Sequence, residues 1–195
     1  MLVINVEIEN FSKVYIKDLK KIMDNLDIDK IKQIVNIILE AYEKDKQIFI
    51  IGNGGSAATA SHFCNDLSKL CSVKGKKRFR AISLTDNIPL ISAWANDNDY
   101  GDIFAEQLKN FLNEGDVVIG VTGSGNSENI IKAIEFAKNS KAKTIAFLGF
   151  DGGKLKNIVD NYILISSNHY GLIEDVHLIL AHMIANYIKE RLSSL

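Results

Sequence analysis

Five short apolar runs constrain the fold of this chain more than any other feature of its sequence. The runs are rich in β-branched residues, most are separated by segments with helical periodicity, and they occupy residues 47–52, 79–84, 116–121, 144–149 and 162–167. Strands that alternate with helices pair in parallel, because each crossover returns the chain to the same edge of the sheet. The pattern therefore predicts an α/β fold: a three-layer αβα sandwich around a five-stranded parallel sheet.

Apolar residues at three- and four-residue spacing precede the first of these runs, over residues of about 8 to 45. This spacing predicts two amphipathic N-terminal helices. We expect a single domain over residues 1–195, because no Pro-, Gly- or Ser-rich linker interrupts the pattern. Within it, residues 1–45 form helices for packing and oligomerisation, and residues 46–195 form the sheet and its flanking helices.

The charge of the chain argues against a polyanionic partner. The net charge is −1, the isoelectric point is near 6.4, and the one basic run, KGKKRFR at residues 74–80, is short. We therefore expect no nucleic-acid and no membrane partner. Cys64 and Cys71 are too few for a secreted disulfide framework, which predicts reduced thiols and a cytoplasmic location.

Two loops rich in Gly, Ser and Asn follow the first and third apolar runs. They read GNGGS at residues 52–56 and TGSGNS at residues 122–127. Ligands of open parallel sheets bind outside the carboxyl ends of the strands, so both loops can face one crevice. Backbone amides, hydroxyls and a helix N-terminus at the second loop favour an anion there. The sequence therefore predicts a phosphate site.

Two alternatives compete with this interpretation. Gly52-x-Gly54-x-x-Ala57 fits a dinucleotide loop, but the candidate ribose-binding acid, Asp86, lies some thirty residues beyond it rather than about twenty, and a dinucleotide leaves the second loop unexplained. Neither loop carries the lysine of a nucleoside triphosphate site, so we expect no nucleotide cofactor. The other alternative is that both loops are only tight turns, with Ser127 as a helix N-cap.

Groups able to transfer protons or bind a metal lie on two predicted helices. His62 and Asp66 are four residues apart and share one helix face, and Glu174 and His182 are eight apart on the last helix, about 80 degrees around it. His177 projects elsewhere. The alternatives are a surface ion pair for the first two residues and a hydrogen-bonded core histidine for His182.

Several motifs together resemble the sugar isomerase (SIS) domain family, of the phosphoheptose isomerase type. They are GNGGSA, TGSGNS, A-x-x-S-H-F, AND at residues 95–97 and the closing IEDVHLILAH, and the resemblance spans essentially the whole chain. It implies a flavodoxin-like five-stranded parallel sheet between helices, assembled as a homotetramer. It also implies conversion of sedoheptulose 7-phosphate to D-glycero-D-manno-heptose 7-phosphate through an enediol, with a zinc ion as a possible cofactor.

The resemblance assigns roles to the proton-transfer and metal-binding groups. The family has His, Glu, Gln and His at the positions of His62, Asp66, Glu174 and His182; the second and fourth are acid–base groups, and all four can bind zinc. This chain therefore has a shorter carboxylate at Asp66 and an additional one at Glu174. Either of these carboxylates is a candidate base, with His182 as its partner.

The resemblance also assigns the substrate contacts. Sugar hydroxyls are expected at Asn53, Gly54, Gly55, Asn96 and Asp97, with Ser56 supporting the first loop, and phosphate is expected at Thr122, Ser124 and Ser127. Gly123 replaces the hydroxyl residue usual at that position and leaves only its backbone amide. Trp94 and Tyr100 are candidates for the walls of the sugar pocket, with core or interface packing as the alternative.

Three functional hypotheses follow. The first is a phosphosugar isomerase, which the retention of His182 favours. The second is a non-catalytic SIS protein that binds a phosphosugar or a protein partner; such regulators commonly carry a DNA-binding domain, and this chain offers no basic recognition helix. The third is a different reaction on the same scaffold, or isomerisation of another sugar phosphate, because a fold alone does not fix the function and Asp66 and Glu174 depart from the family pattern.

Overall fold

A parallel five-stranded sheet forms the centre of the molecule, as the alternating pattern predicts. The computed structural model describes residues 7–194. The strands run in the order β2-β1-β3-β4-β5, and every neighbouring pair is parallel. Their bounds are Gln47–Gly52 (β1), Arg80–Ser83 (β2), Val117–Thr122 (β3), Lys143–Gly149 (β4) and Asn161–Ile165 (β5). The predicted α/β architecture is confirmed.

Within residues 7–194, seven α-helices connect and flank these strands. They are Ile8–Asp24 (α1), Ile28–Glu43 (α2), Gly55–Asn65 (α3), Ile88–Asp97 (α4), Ala105–Phe111 (α5), Glu128–Asn139 (α6) and Tyr170–Ser193 (α7). A π-helical turn, Asp66–Leu70, continues α3, and short 3₁₀ turns lie at Tyr100–Asp102 and Leu155–Asn157. The predicted domain begins at residue 1, whereas residues 1–6 and 195 lie outside the described residues.

Alternate residues of each strand enter two separate cores. Ile48 and Ile50 of β1 pack with α2, α3 and α7 on one face of the sheet, whereas Phe49 and Ile51 pack with α5 and α6 on the other. Successive side chains of a strand point to opposite faces, so a strand buried on both faces must be apolar throughout. This is why the strands appear in the sequence as continuous apolar runs.

The pairing of β1 with β3 places both glycine-rich loops side by side. Gly52, the last residue of β1, pairs with Val121 of β3, and the two loops begin within one residue of that pair. From β1 the chain crosses to β2 on one side and then to β3 on the other. This reversal opens the crevice in which ligands of such sheets bind.

Helix α1 lies on the outside of the molecule. No residue of α1, which lies wholly within the described range, is buried. The Tyr15 hydroxyl donates a 2.6 Å hydrogen bond to Asp175 of α7, and this bond raises the pKa of Tyr15 to about 12. The outward apolar side chains, among them Ile8, Phe11 and Val14, are at least half exposed. The predicted role of α1 in subunit packing stays a prediction.

Two further features concern the cysteines and membrane insertion. Cys64 and Cys71 are free, and burial raises the pKa of the Cys71 thiol to about 12. Within residues 7–194, no helix combines the length and the apolar character needed to cross a membrane.

His177 of α7 is fully buried against the sheet. Its Nε2 lies 3.2 Å from the Leu148 carbonyl oxygen, and its Nδ1 has no hydrogen-bond partner among the described residues. Burial lowers the pKa of His177 to about 4, partly opposed by the bond to Leu148. His177 therefore points away from His182, as the helical spacing predicts.

We expect His177 to make the protein less stable in mild acid. Below the unfolded-state pKa of about 6.5, the unfolded chain gains a proton that folded His177 does not take up until about pH 4, so stability falls as the pH falls through this window. Between pH 7 and pH 5 the free energy of unfolding should fall by about 2 kcal/mol more in the wild type than in His177→Gln, as measured by urea unfolding. Equal losses in both proteins would contradict this assignment.

Candidate active site

The second glycine-rich loop forms one wall of a small polar cavity. The cavity has a volume of about 130 Å³ and is lined by Asn53, Ser56, Val121, Thr122, Gly123, Ser124, Ser127, Tyr170 and Glu174. It lies where β1 and β3 end and α3 and α6 begin. Amides at helix N-termini point toward this region, and their dipoles favour a bound anion.

The hydroxyls of Thr122 and Ser124 accept hydrogen bonds from amides of their own loop, and neither donates one to any residue that the structure describes. Thr122 Oγ1 accepts a hydrogen bond from the Gly125 amide at 3.3 Å, and Ser124 Oγ accepts one from the Asn126 amide at 3.2 Å. Ser127 occupies the N-cap position of α6, but its side chain caps none of the first-turn amides within residues 7–194. Ser127 thus has the N-cap position that the tight-turn alternative predicts but not the capping hydrogen bond, which leaves its hydroxyl available to a ligand.

A reciprocal amide pair joins the two loops. Asn53 Nδ2 donates to Asn129 Oδ1 at 2.9 Å, and Asn129 Nδ2 donates to Asn53 Oδ1 at 2.8 Å. Asn129 Oδ1 also accepts from the Ile130 amide, and the Tyr100 hydroxyl donates to Asn53 Oδ1 at 3.0 Å. Asn129 is buried, and the sequence analysis does not predict it as a site residue. Its position two residues beyond the second loop is the only feature of the sequence that points to it.

Three of the four predicted metal or acid–base groups meet between α3 and α7. Nε2 of His62 lies 2.8 Å from Nε2 of His182, and Asp66 Oδ2 lies 3.6 and 3.8 Å from these two atoms. All three ligand atoms lie within 4.8 Å of one another. The predicted sharing of one helix face by His62 and Asp66 is confirmed, and the last helix brings His182 to them.

The same group fits a bound cation. Asp66 Oδ2 is buried and has no hydrogen-bond partner among the described residues, although it faces both imidazoles. Two imidazole nitrogens in direct contact require a proton or a metal ion between them, because two bare lone pairs repel. Imidazole and carboxylate together suit several divalent metals. The group can therefore hold a metal ion.

Glu174 is not part of this three-residue group. It lines the small polar cavity instead. It also lies against Gly55 at the start of α3, where an added Cβ would come within 2.6 Å of Glu174 Oε2. Helices α3 and α7 thus meet at Gly55–Glu174 and again at His62–His182. Eight helical residues separate Glu174 from His182, about 12 Å along the axis. The candidate site therefore has two chemically different parts, which lie at two levels along α3 and α7.

The predicted sugar contacts at the end of α4 do not line the cavity. Asn96 and Asp97 are exposed, are joined by a 2.8 Å hydrogen bond, and are not among the residues that line it. Trp94 packs into the second core, in agreement with the packing alternative, while Tyr100 reaches Asn53. The structure thus brings together the two loops and Glu174, and Asn96 and Asp97 do not line the cavity that these form.

A larger cavity of about 620 Å³ lies between α1 and the segment that follows β5. Its lining includes Lys21, Ser166, Ser167 and His169, but none of the predicted site residues. Seven of the predicted site residues line the smaller cavity instead, so the smaller cavity is the candidate active site despite its size.

Comparison with known proteins is consistent with this site. The family model of the SIS domain matches residues 14–149. A probable phosphoheptose isomerase of Thermoplasma acidophilum is 38% identical over 180 residues, spanning 92% of this chain and 98% of that protein. A phosphoheptose isomerase of Helicobacter pylori is 37% identical over 171 residues, 88% of each chain. A solved phosphoheptose isomerase of Francisella tularensis superposes with a TM-score of 0.85 at 28% identity, covering 94% of this chain and 96% of that one.

Loss of the amide pair between the loops should destabilise the fold. In Asn129→Ala, Asn53 loses both bonds to its partner, and we expect the free energy of unfolding to fall by about 1 to 3 kcal/mol. Urea unfolding measures this change. Asn139→Ala, at the exposed end of the same helix, is the matched control and should change stability by no more than about 0.5 kcal/mol. An equal effect of both substitutions would refute the role of the pair.

Proposed function

The chain belongs to the SIS domain family, and from this premise we propose that it is an isomerase that converts sedoheptulose 7-phosphate to D-glycero-D-manno-heptose 7-phosphate. The retained histidine pair with Asp66 supports catalysis rather than phosphosugar binding alone. An intramolecular isomerase of this kind moves a proton between neighbouring carbons and needs no nucleotide cofactor.

The separation of two chemically different groups along α3 and α7 is the observation that carries this proposal. The loop of Thr122, Ser124 and Ser127 lies at one end, and the group of His62, Asp66 and His182 lies about 12 Å along α7 from Glu174. Sedoheptulose 7-phosphate has its phosphate on C7 and its carbonyl at C2. A sugar phosphate with its reacting carbons far from its phosphate matches a site whose anion-binding and proton-transfer groups are far apart.

Different residues then bind different parts of the sugar phosphate. Hydroxyl and amide donors of the second loop bind the phosphate, and Asn53, held by Asn129, presents its amide to the sugar hydroxyls. We assign Glu174 to a sugar hydroxyl next to the phosphate, because it lines the same cavity as the second loop and lies outside the proton-transfer group. Asn96 and Asp97 remain proposed contacts for hydroxyls near the mouth of the site.

Asp66 and His182 are the proposed acid–base pair. Asp66 takes a proton from C1, the C–H electrons form the C1–C2 double bond of the enediol, and the C2 carbonyl oxygen receives a proton from His182. Return of a proton to C2, with loss of the C1 hydroxyl proton, produces the aldehyde at C1. Positioned proton transfer of this kind accelerates a reaction by roughly a hundredfold or more per group.

Zinc is the proposed metal for this group. His62, Asp66 and His182 would hold it, and the buried, unpartnered Asp66 Oδ2 supports this assignment. With zinc bound, His182 Nε2 would be a ligand and carry no proton, and the ion would then supply Lewis-acid polarisation of the substrate carbonyl in place of that proton. The sequence-based hypothesis also counted Glu174 as a ligand; it lies outside the group of three, and the proposal does not depend on it. A homotetramer, a cytoplasmic location and the absence of nucleic-acid and membrane partners stay predictions.

The decisive test is proton exchange followed by NMR. With sedoheptulose 7-phosphate in deuterated water, we expect the wild type to introduce deuterium at C1 of the ketose and to form the aldose. Sedoheptulose without its phosphate is the control substrate and should exchange far more slowly. Binding of the phosphosugar without exchange would rule out this isomerase activity.

Two isosteric variants, assayed in the absence of metal, identify the base. Asp66→Asn should lower the exchange rate by at least about a hundredfold, whereas Glu174→Gln, which removes only a charge from the substrate-binding wall, should keep most of it. Loss of exchange in Glu174→Gln with retention in Asp66→Asn would reassign the base to Glu174.

Metal content gives an independent readout of the same group. After exposure to zinc and dialysis, we expect about one ion per chain in the wild type and in Glu174→Gln, and much less in His62→Ala and Asp66→Asn, as measured by elemental analysis. Equal zinc in all four proteins would refute the proposed ligands without bearing on the isomerase activity.

A further inference from the structure

Tyr170 occupies the space that a side chain at Gly123 would need. A Cβ added to Gly123 would lie 2.9 Å from Cε1 and 3.2 Å from Cδ1 of the Tyr170 ring. Real Cβ atoms essentially never come closer than 3.0 Å to such neighbours, so a larger residue would displace the ring. The glycine and the tyrosine therefore form a matched pair in the middle of the second loop.

The Tyr170 ring is held in place, while its hydroxyl is free. The ring packs edge-on against Phe150, with centroids 4.8 Å apart, and lines the cavity together with Thr122, Ser124 and Ser127. The Tyr170 side chain is 57% exposed, and its hydroxyl makes no hydrogen bond to any residue within 7–194. A phenol fixed at a polar cavity with an unused donor is suited to a ligand.

The charge of the cavity makes such a donor important. Among the residues that the structure describes, no lysine or arginine lines this cavity, and its one ionisable acid is Glu174. A phosphate there must be held by neutral donors, namely amides and hydroxyls. Gly123 contributes no hydroxyl to this set.

We propose that Tyr170 is a further phosphate-binding residue of this site, with its ring covering Gly123 and its hydroxyl donating to a phosphate oxygen. The inference deepens the proposed function, because it takes the cavity to be the phosphate end of the substrate site. It adds to the loop hydroxyls a contact from α7, the helix that also carries His182. Phosphate binding thereby connects the loop to the helix that bears a proton-transfer group.

Titration with inorganic phosphate tests this without turnover. By calorimetry, Tyr170→Phe should raise the Kd for phosphate about tenfold, since it removes one hydrogen bond to a charged group and keeps the ring. Tyr187→Phe removes the same hydroxyl from an exposed tyrosine of α7 and is the matched control; it should leave the Kd unchanged. Equal affinities in wild type and Tyr170→Phe would overturn the inference, as would the absence of phosphate binding to the wild type.

A double-mutant cycle tests the pairing with Gly123. Gly123→Ser should displace the Tyr170 ring, so adding Tyr170→Phe to Gly123→Ser should change the Kd little further. Independent, multiplying effects would overturn the pairing. If phosphate titrations behave as expected but no deuterium exchange occurs with sedoheptulose 7-phosphate, the proposed reaction fails and the phosphate site stands. If exchange occurs and Tyr170→Phe leaves both the Kd and KM unchanged, the inference alone fails.

Discussion

The parallel pairing of β1 with β3 is the constraint on which the rest of the site depends. It joins two strands that are not consecutive in the chain, so that loops about seventy residues apart emerge side by side. Neither loop alone forms the cavity, because its walls come from both loops and from α7. Just beyond the strands, the side-chain hydrogen bonds between Asn53 and Asn129 join the first loop to the first turn of α6, which follows the second loop.

The second constraint is the packing of α3 beside α7 on one face of the sheet. Gly55 permits the close approach of Glu174 near the start of α3, and the contact of His62 with His182 follows farther along both helices. A larger residue at Gly55 would push α7 away or displace Glu174. Two helices in contact at two levels thus set the spacing between the anion-binding end of the site and the proton-transfer end.

Much of this arrangement is predictable from the sequence because it depends on local patterns. The apolar runs predict the ends of all five strands to within two residues, although β2 and β5 are shorter than predicted. The four-residue spacing of His62 and Asp66 predicts their contact. Relations that depend on side-chain reach across the fold are not predictable in this way. Asn129 and Tyr170 carry no motif of their own, and the distance of Glu174 from the histidine pair depends on how α7 packs. The exposure of Asn96 and Asp97 likewise depends on where α4 ends.

The charge distribution of the site explains how an additional carboxylate at Glu174 can be accommodated. Glu174 lies against Gly55, the first residue of α3, and the N-cap residue of that helix is Gly54, which has no side chain to satisfy the first amides. The positive end of a helix dipole stabilises a nearby carboxylate by a few tenths of a kcal/mol to about 1 kcal/mol. Asp66, in contrast, faces two imidazoles that can share a proton or hold a cation. Each carboxylate therefore has its own source of positive potential. At the start of α6 the Ile130 amide is used by Asn129, whereas the amides of Glu128 and Asn129 make no hydrogen bond among the described residues and remain available for the phosphate.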